Sequence, residues 1–197
     1  MVARQIRYSS LFLSAFVAGV VAVLLIAGLS RVESRRSEAP TRTPVEIQQL
    51  APGVWVAGQI DTADVPMFRN RGFKAVIGLR PDGEVPGQPS ASDIGAMTNG
   101  QSMRFAYVPV PHGDMPDAVA DDLATALAGG EGPVLLYCRS GRRAARAWAL
   151  AEASRPGGLL VEEIEARVAG VGQSVDDLGD RLRRRAALRP SVEVVSK

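Results

Sequence analysis

The only cysteine of the chain stands at the head of a short segment crowded with guanidinium groups. After Cys138 the segment contains three arginines, a serine and a glycine, in the order Arg139, Ser140, Gly141, Arg142 and Arg143. Neighbouring arginines favour the thiolate form of a cysteine, and the thiolate is the reactive nucleophile. The segment therefore predicts an anion-binding nucleophile, although a lone cysteine after an apolar run is also typical of an inert buried thiol.

The residues on either side place Cys138 between a strand and a helix. Residues 134–137 form a short apolar run after the Gly132-Pro133 turn signal, which predicts a buried strand. Residues 144–153 are strong helix formers without glycine or proline. At such a switch the backbone N–H groups of the loop and the first helical turn converge, and the helix dipole favours negative charge there.

The segment from Cys138 to Arg143 resembles the signature loop of cysteine-dependent phosphatases and rhodaneses. Phosphatases place five residues between the cysteine and the closing arginine, whereas here the four-residue spacing resembles the shorter rhodanese loop. Further motifs are together similar to the phosphatase-like domain of beta-lactamase hydrolase-like proteins: 50–59, 72–77, 80–84, 87–89 and 107–110. The resemblance covers about residues 46 to 170 and implies a dual-specificity-phosphatase-like fold with a rhodanese-length loop.

This resemblance implies Cys138 as nucleophile, Arg143 as closing arginine and Asp114 as general acid. Substrate binding would fall to the remaining loop residues and one distant arginine: Arg139, Ser140, Gly141, Arg142 and Arg80. His112 is either a site residue or a solvated turn residue. Gln59 would line the pocket or hydrogen-bond the backbone.

Other carboxylates compete with Asp114 for the proton-donor role, since an alkoxide leaving group needs a nearby acid. Asp117 is an alternative acid, although Pro116-Asp117 is equally typical of a helix start. Asp82 is a further alternative. The structural interpretation of Asp82 and Glu84 is a turn whose carboxylates hold Arg80 or the loop arginines.

Strands and helices alternate through the domain. Strands are predicted at 54–57, 75–79, 104–110 and 134–137, and helices at 62–71, 90–99, 116–128, 144–153, 160–168 and 175–188. This order predicts an α/β fold with a mostly parallel central sheet flanked by helices. Sites in such sheets lie beyond the carboxyl ends of the strands, where Cys138, Arg80 and the turn 112–114 fall. Trp55 and Trp148 are predicted core residues.

These features favour a cysteine-dependent phosphatase-like hydrolase with a phosphocysteine intermediate. The alternative is a rhodanese-type sulfurtransferase that forms a persulfide on Cys138, which the loop length favours. A third hypothesis is a weakly active anion-binding regulatory module. It draws on two departures from the family pattern: Ala144 stands where a serine commonly follows the closing arginine, and Tyr137 where phosphatases commonly have histidine.

Composition limits the chemistry further. The 197 residues are 46% hydrophobic, enough for one buried core, and the net charge of +2 gives no indication of nucleic-acid binding. One cysteine and one histidine exclude an internal disulfide and disfavour a zinc site or a histidine-based mechanism. We expect no metal and no cofactor, with a phosphate- or sulfur-containing anion as substrate.

An uncharged apolar run at residues 11–29 precedes the domain. As a helix it would span roughly 28 Å, about the thickness of a bilayer core. It exceeds the h-region of a cleaved signal peptide and no small-x-small cleavage site follows, so an uncleaved anchor is favoured. The predicted segments are an N-terminal tail (1–10), transmembrane anchor (11–29), flexible stalk (30–45), phosphatase-like domain (46–173) and C-terminal helical tail (174–197).

This organisation predicts a single-pass protein of the cell inner membrane. Arginines flank the apolar run in nearly equal number on both sides, so the positive-inside rule leaves the side of the catalytic domain open. A second arginine group, at 181–185, is predicted to form a solvated helical face, with contact to anionic lipid or a partner as the alternative.

Overall fold

The structure, a computed structural model, describes residues 44–190. The predicted anchor at 11–29 lies outside this range. Between residues 44 and 190, no helix has both the length and the apolar character needed to cross a bilayer.

Five strands form one mixed sheet. They are β1 (Ile47–Ala51), β2 (Val54–Ala57), β3 (Ala75–Gly78), β4 (Arg104–Tyr107) and β5 (Val134–Tyr137). The sheet order is β1-β2-β5-β3-β4, in which β1 runs antiparallel to β2 and the other pairs are parallel. The expected mostly parallel sheet is thus corrected to a mixed one. Only Pro52-Gly53 joins β1 to β2, and a connection this short can link antiparallel strands but not parallel ones.

Six α-helices accompany the sheet. They are α1 (Val65–Asn70), α2 (Ala91–Gly100), α3 (Asp117–Ala128), α4 (Arg142–Ser154), α5 (Val161–Gly170) and α6 (Gly179–Ala187). Single 3-10 turns, Thr62–Asp64 and Asp176–Leu178, lead into α1 and α6. All the predicted helices are present, and α4 begins two residues before the predicted helix, at Arg142.

The helices cover both faces of the sheet, as predicted. Alternate side chains of β5 point to opposite faces. Leu136 belongs to the larger core beneath α3, α4, α5 and α6, whereas Leu135 and Tyr137 belong to the smaller core beneath α1 and α2. The C-terminal segment is part of this packing, since Leu178 and Leu182 are buried in the larger core.

Helix α4 lies at the centre of the larger core. Six of its alanines are at most 3% exposed, which allows α3 and α6 to pack closely against it: Ala144, Ala145, Ala147, Ala149, Ala151 and Ala153. Trp148 is 2% exposed within the same core. Trp55 is half-buried and packs edge-on against Phe73. The helix that follows Cys138 is therefore held firmly in place.

The topology brings the predicted site residues to one edge of the sheet. Because β2, β3, β4 and β5 are parallel, their carboxyl ends meet at the same edge. Gln59 follows β2, Arg80 follows β3, the 112–114 turn follows β4 and Cys138 follows β5.

Candidate active site

The segment from Cys138 to Gly141 turns sharply from β5 into α4. The Cys138 N–H donates to the Ala57 carbonyl at 3.4 Å, and the Gln59 N–H donates to the Arg139 carbonyl at 3.2 Å. These bonds tie the turn to the end of β2. Gly141 has a φ of 83°, a left-handed conformation that glycine adopts without steric cost. Cys138 itself is only 1% exposed.

The start of α4 presents hydrogen-bond donors beside this cysteine. Ala145 makes the first helical bond, donating to the Gly141 carbonyl at 2.9 Å. The preceding amides of Arg142, Arg143 and Ala144 therefore have no intrahelical acceptor. No side chain between residues 44 and 190 caps this helix start. An anion next to Cys138 would be stabilised by these amides and by the helix dipole.

The closing arginine is held by a carboxylate from a distant turn. Arg143 donates to both Glu84 carboxylate oxygens, at 2.5 and 2.8 Å, and to the Val110 carbonyl at 2.8 Å. The hydrogen bond to Glu84 is the main cause that raises the pKa of Arg143, and Cys138 contributes a smaller increase. Arg143 is thus fixed within interaction range of the thiol.

The same carboxylate holds a second, more deeply buried guanidinium. Arg80 is 5% exposed and donates from Nε to Glu84 at 2.8 Å and from Nη1 to the Gln59 side-chain oxygen at 2.6 Å. The hydrogen bond from Arg143, followed by that from Arg80, lowers the pKa of Glu84 to about 2 against the opposing effect of burial. We call Gln59, Arg80, Glu84 and Arg143 the floor network.

The contacts of the floor network bear on the interpretations given above for Glu84 and Gln59. The structural interpretation of this turn is confirmed for Glu84, whose carboxylate holds both Arg80 and a loop arginine, but not for Asp82, which accepts from the Ala91 N–H. Gln59 also donates from Nε2 to the Ile60 carbonyl at 2.6 Å, so its amide bonds both backbone and Arg80. Arg80 reaches Arg143 through the shared carboxylate, which gives it a positioning role.

An open cleft of about 690 Å³ lies against the loop. The residues that line it include the turn 111–115, Arg139 and Arg142. His112 and Asp114 are exposed within this turn, and the Met115 N–H donates to Asp114 Oδ1 at 2.7 Å. We call His112, Asp114, Arg139 and Arg142 the rim. Ser140 also lines the cleft, whereas Gly141 is buried.

Neither of the competing carboxylates lines the cleft, and both make structural contacts. Asp82 accepts a hydrogen bond from the Ala91 N–H at 2.8 Å, at the start of α2. Asp117 is the first residue of α3 and pairs with Arg181 at 2.6 Å and Arg185 at 3.2 Å. The hydrogen bond from Arg181 above all lowers the pKa of Asp117. A carboxyl group held in its charged form is a poor proton donor, which makes Asp117 a weaker candidate for that role.

Part of the cleft comes from the C-terminal segment, which the sequence analysis did not assign to the site. Arg146 donates to both carboxylate oxygens of Asp177 at 2.6 Å, and this pairing lowers the pKa of Asp177 to about 2. Arg181 donates to the Met115 carbonyl at 2.7 Å. In the sequence, the arginine group at 181–185 was the feature that could have indicated this contribution to the cleft. Its interpretation as a solvated face was incomplete, since Arg181 and Arg185 are partly buried and ion-paired.

The two departures from the family pattern occupy buried positions. Ala144 is fully buried in the larger core. Tyr137 points into the smaller core, and burial raises the pKa of its hydroxyl. A Cβ at Gly78 would lie 2.9 Å from that hydroxyl, so glycine is required on the neighbouring strand. The residue before Cys138 therefore has a packing role.

The arrangement of a strand, a cysteine-arginine loop and a helix matches a known domain. Residues 46–155 match the family described as "Beta-lactamase hydrolase-like protein, phosphatase-like domain". The chain belongs to this family. The resemblance drawn from the sequence motifs is thereby confirmed.

Curated relatives carry the name beta-lactamase hydrolase-like protein. One from Xylella fastidiosa is 33% identical over 137 residues, which cover 70% of this chain and 32% of the relative. One from Agrobacterium fabrum is 36% identical over 98 residues, covering 50% of this chain and 23% of the relative. The chain thus spans about a third or less of these relatives.

Solved structures confirm a phosphatase-like fold. A candidate phosphatase from Neisseria meningitidis is 27% identical with a TM-score of 0.60, covering 70% of this chain and 96% of that one. Kinase associated phosphatase, solved with serine in place of its catalytic cysteine, is 12% identical with a TM-score of 0.59, covering 76% and 99%. The second likeness concerns the fold alone.

Proposed function

We propose that the domain is a cysteine-dependent phosphatase that hydrolyses phosphate monoesters through a phosphocysteine intermediate. The observation that carries this proposal is the position of Cys138, held beside the amides of the α4 start and within interaction range of Arg143. A nucleophile with preorganised donors around it is the arrangement that phosphoryl transfer requires.

In the first step the Cys138 thiolate attacks phosphorus, so that a sulfur–phosphorus bond forms and the bond to the leaving oxygen breaks. The loop amides and Arg143 hold the three equatorial oxygens. Asp114 gives its proton to the leaving oxygen, and the alcohol departs.

In the second step a water molecule attacks the phosphocysteine. Asp114, now a carboxylate, accepts a proton from that water while the sulfur–phosphorus bond breaks. Orthophosphate leaves, and both the Cys138 thiolate and the protonated Asp114 are restored. Each turnover therefore consumes one water and needs no oxidant or cofactor.

One observation supports sulfur transfer as a second candidate. Four residues separate Cys138 from Arg143, which gives a tighter ring than the five-residue spacing of phosphatases. In that reaction the thiolate would take the outer sulfur of thiosulfate, releasing sulfite and forming a persulfide. Cyanide would then accept the sulfur as thiocyanate and regenerate the thiolate.

The decisive experiment compares full-length wild type with Cys138→Ser, using an aryl phosphate as substrate. We expect kcat/KM to fall by at least about a thousandfold, because a serine hydroxyl is not ionised at neutral pH. Circular dichroism and thermal unfolding establish that the variant is folded, and Cys138→Ala provides a second test should serine disturb the buried position. Undiminished turnover in a folded variant would contradict the proposal.

The same samples are assayed for thiocyanate formation from thiosulfate and cyanide. Cysteine-dependent thiocyanate formation without phosphate release would replace the phosphatase proposal by the sulfurtransferase. Neither activity, together with retained anion binding, would favour the regulatory module instead.

The anchor at residues 11–29 is a separate proposal, supported by the uncharged apolar run of the sequence. We expect the full-length protein to remain in the membrane fraction after alkaline carbonate extraction. Deletion of residues 11–29 should release it, and extraction of the full-length protein by carbonate would overturn the proposal.

A further inference from the structure

The arginines that line the cleft fall into two kinds. Arg143, Arg146 and Arg181 are each paired with a carboxylate, at 2.5 to 2.6 Å. The guanidinium groups of Arg139 and Arg142 have no hydrogen bond or salt bridge to any residue in the described part of the chain, and both residues are exposed. The cleft thus contains two cationic groups to which residues 44–190 give no hydrogen bond or salt bridge, although Arg142 interacts electrostatically with Asp177.

Both residues belong to the loop that would bind the reacting phosphate, and both line the cleft beside it. Arg139 directly follows Cys138, and Arg142 begins α4. In the proposed phosphatase reaction the loop amides and Arg143 already hold the oxygens of one phosphate, so Arg139 and Arg142 are left over. Two unpaired guanidinium groups at such a position suit a second anionic group on the same substrate.

The rest of the cleft agrees with a compact, highly charged ligand. Five arginines and two aspartates line it, and three of these arginines are neutralised by Glu84, Asp177 and Asp117. The remaining positive charge is that of Arg139 and Arg142, opposed only by Asp114 among the residues that line the cleft. Among the described residues that line it there is no phenylalanine, tyrosine or tryptophan, and the imidazole of His112 is the one ring that could stack against an aromatic ligand. Its volume of about 690 Å³ exceeds what one phosphate group needs.

We propose that the substrate carries at least two phosphate groups, one positioned over Cys138 and one bound by Arg139 and Arg142. This inference rests on the proposed phosphatase function and specifies its substrate class. Only the phosphate over Cys138 is transferred to the thiolate and released by water. The second phosphate stays on the product and serves as the recognition element.

The test measures binding of two inorganic probes to full-length Cys138→Ser protein by calorimetry. We expect pyrophosphate to bind at least about tenfold more tightly than orthophosphate, because charge-assisted hydrogen bonds to a second phosphate are added. Arg142→Gln in the same background should remove most of this preference. The matched control is Arg184→Gln, which changes an exposed arginine of α6 outside the cleft lining and should leave the preference intact.

Equal affinity for the two probes would overturn the inference, as would equal effects of Arg142→Gln and Arg184→Gln. Should Arg142→Gln unfold the protein, Arg139→Gln replaces it in the same comparison. Aryl phosphate hydrolysis by wild type separates the two proposals. Turnover without a pyrophosphate preference defeats only this inference, whereas a strong preference without turnover defeats the phosphatase function and leaves a polyanion-binding site.

Discussion

The floor network and the rim serve the same anion site but are built in opposite ways. In the floor network two guanidinium groups share the Glu84 carboxylate, and all three charged side chains are at most 17% exposed. In the rim, no salt bridge joins any of the four exposed side chains to another residue between 44 and 190. The floor network is therefore set before an anion arrives, whereas the rim is free to respond to one.

This difference separates two kinds of contribution. Charges removed from water must keep their partners, so a change in the floor network should reduce stability as well as activity. Exposed and unpaired side chains contribute little to stability, so a change in the rim should alter chemistry alone. Variants of the floor network and of the rim can therefore test this difference.

Among variants of the rim and the floor network, the largest effect is expected from Asp114→Asn in the rim. Loss of the proton donor should lower kcat by roughly a hundredfold or more for an alkyl phosphate, whose leaving oxygen needs a proton. For an aryl phosphate with an acidic leaving group, kcat should change far less. The free energy of unfolding should stay within about 0.5 kcal/mol of wild type.

Steady-state kinetics over a series of leaving groups gives the measurement for this variant. Asp122→Asn is the matched control, since Asp122 is an exposed aspartate of α3 that does not line the cleft. An equal decrease for alkyl and aryl substrates would exclude Asp114 as general acid.

A smaller effect on turnover, joined to a loss of stability, is expected from Glu84→Gln in the floor network. The neutral amide leaves Arg80 and Arg143 without their shared counter-charge. We expect unfolding to become easier by about 1 to 3 kcal/mol and kcat/KM to fall roughly tenfold as Arg143 loses its fixed orientation.

Chemical denaturation and aryl phosphate kinetics test this prediction, with Glu162→Gln on the exposed side of α5 as control. An increase in activity would mean that Glu84 holds Arg143 away from the substrate instead of orienting Arg143 toward the substrate. An unchanged free energy of unfolding would show that the floor network, like the rim, contributes little to stability, which would contradict the proposed difference.

The pH dependence of stability gives a second test of the floor network. The pKa of Glu84 is lowered from 4.5 to about 2, chiefly by its hydrogen bond with Arg143. A depressed pKa in the folded state gives stability that is complete above the unfolded value and is lost as pH falls through the folded value. The stability difference between wild type and Glu84→Gln should therefore be constant above about pH 5 and close toward pH 2.

The pair between Arg146 and Asp177 provides the contrast. The pKa of Asp177 is also lowered to about 2, by its hydrogen bond with Arg146, yet Asp177 is 64% exposed. Solvent screening should make the corresponding difference for Asp177→Asn smaller over the same pH range. Denaturant titrations at several pH values measure both, and a larger effect at Asp177 would reverse the ranking.

Much of the fold could be predicted from local sequence patterns. Strand β1, which was not predicted, shows the limit of such patterns. The buried runs at 54–57 and 134–137 predicted β2 and β5 with their observed bounds. Strand β1 was missed because the pairing register shifts between Gln49 and Ala51. Such an irregularity interrupts the alternation of apolar and polar residues by which a half-buried strand is recognised.

The part of the site that is formed by residues close in sequence could be predicted. The cysteine-arginine segment and its place between strand and helix came from neighbouring residues. The partner of Arg143 lies 59 residues away, and the sequence offered two carboxylates in that turn for this role. Only the packing of the turn against the loop assigns Glu84 to the arginines and Asp82 to the start of α2.

The smallest effect is expected from Ala144→Ser, which adds a hydrogen-bond donor directly after Arg143 in the first turn of α4. Ala144 and Cys138 belong to the same buried core. The family pattern, which commonly has serine at this position, implies a hydroxyl that donates to the sulfur. Hydrogen bonding to a leaving thiolate stabilises its charge. Breakdown of the phosphocysteine should therefore accelerate, raising kcat by roughly two- to fivefold if that step limits turnover.

Rapid-mixing kinetics distinguishes this effect from a general change in activity. A faster second step lowers the burst of released alcohol while the initial rate of its release stays the same. Ala145→Ser is the matched control, because Ala145 is equally buried but its side chain is rotated about 100° around the helix. An equal increase in kcat from both serines would mean that the increase comes from looser packing of α4 and not from a hydrogen bond to the sulfur. In that case the rigidity that the floor network gives to the site would itself limit turnover.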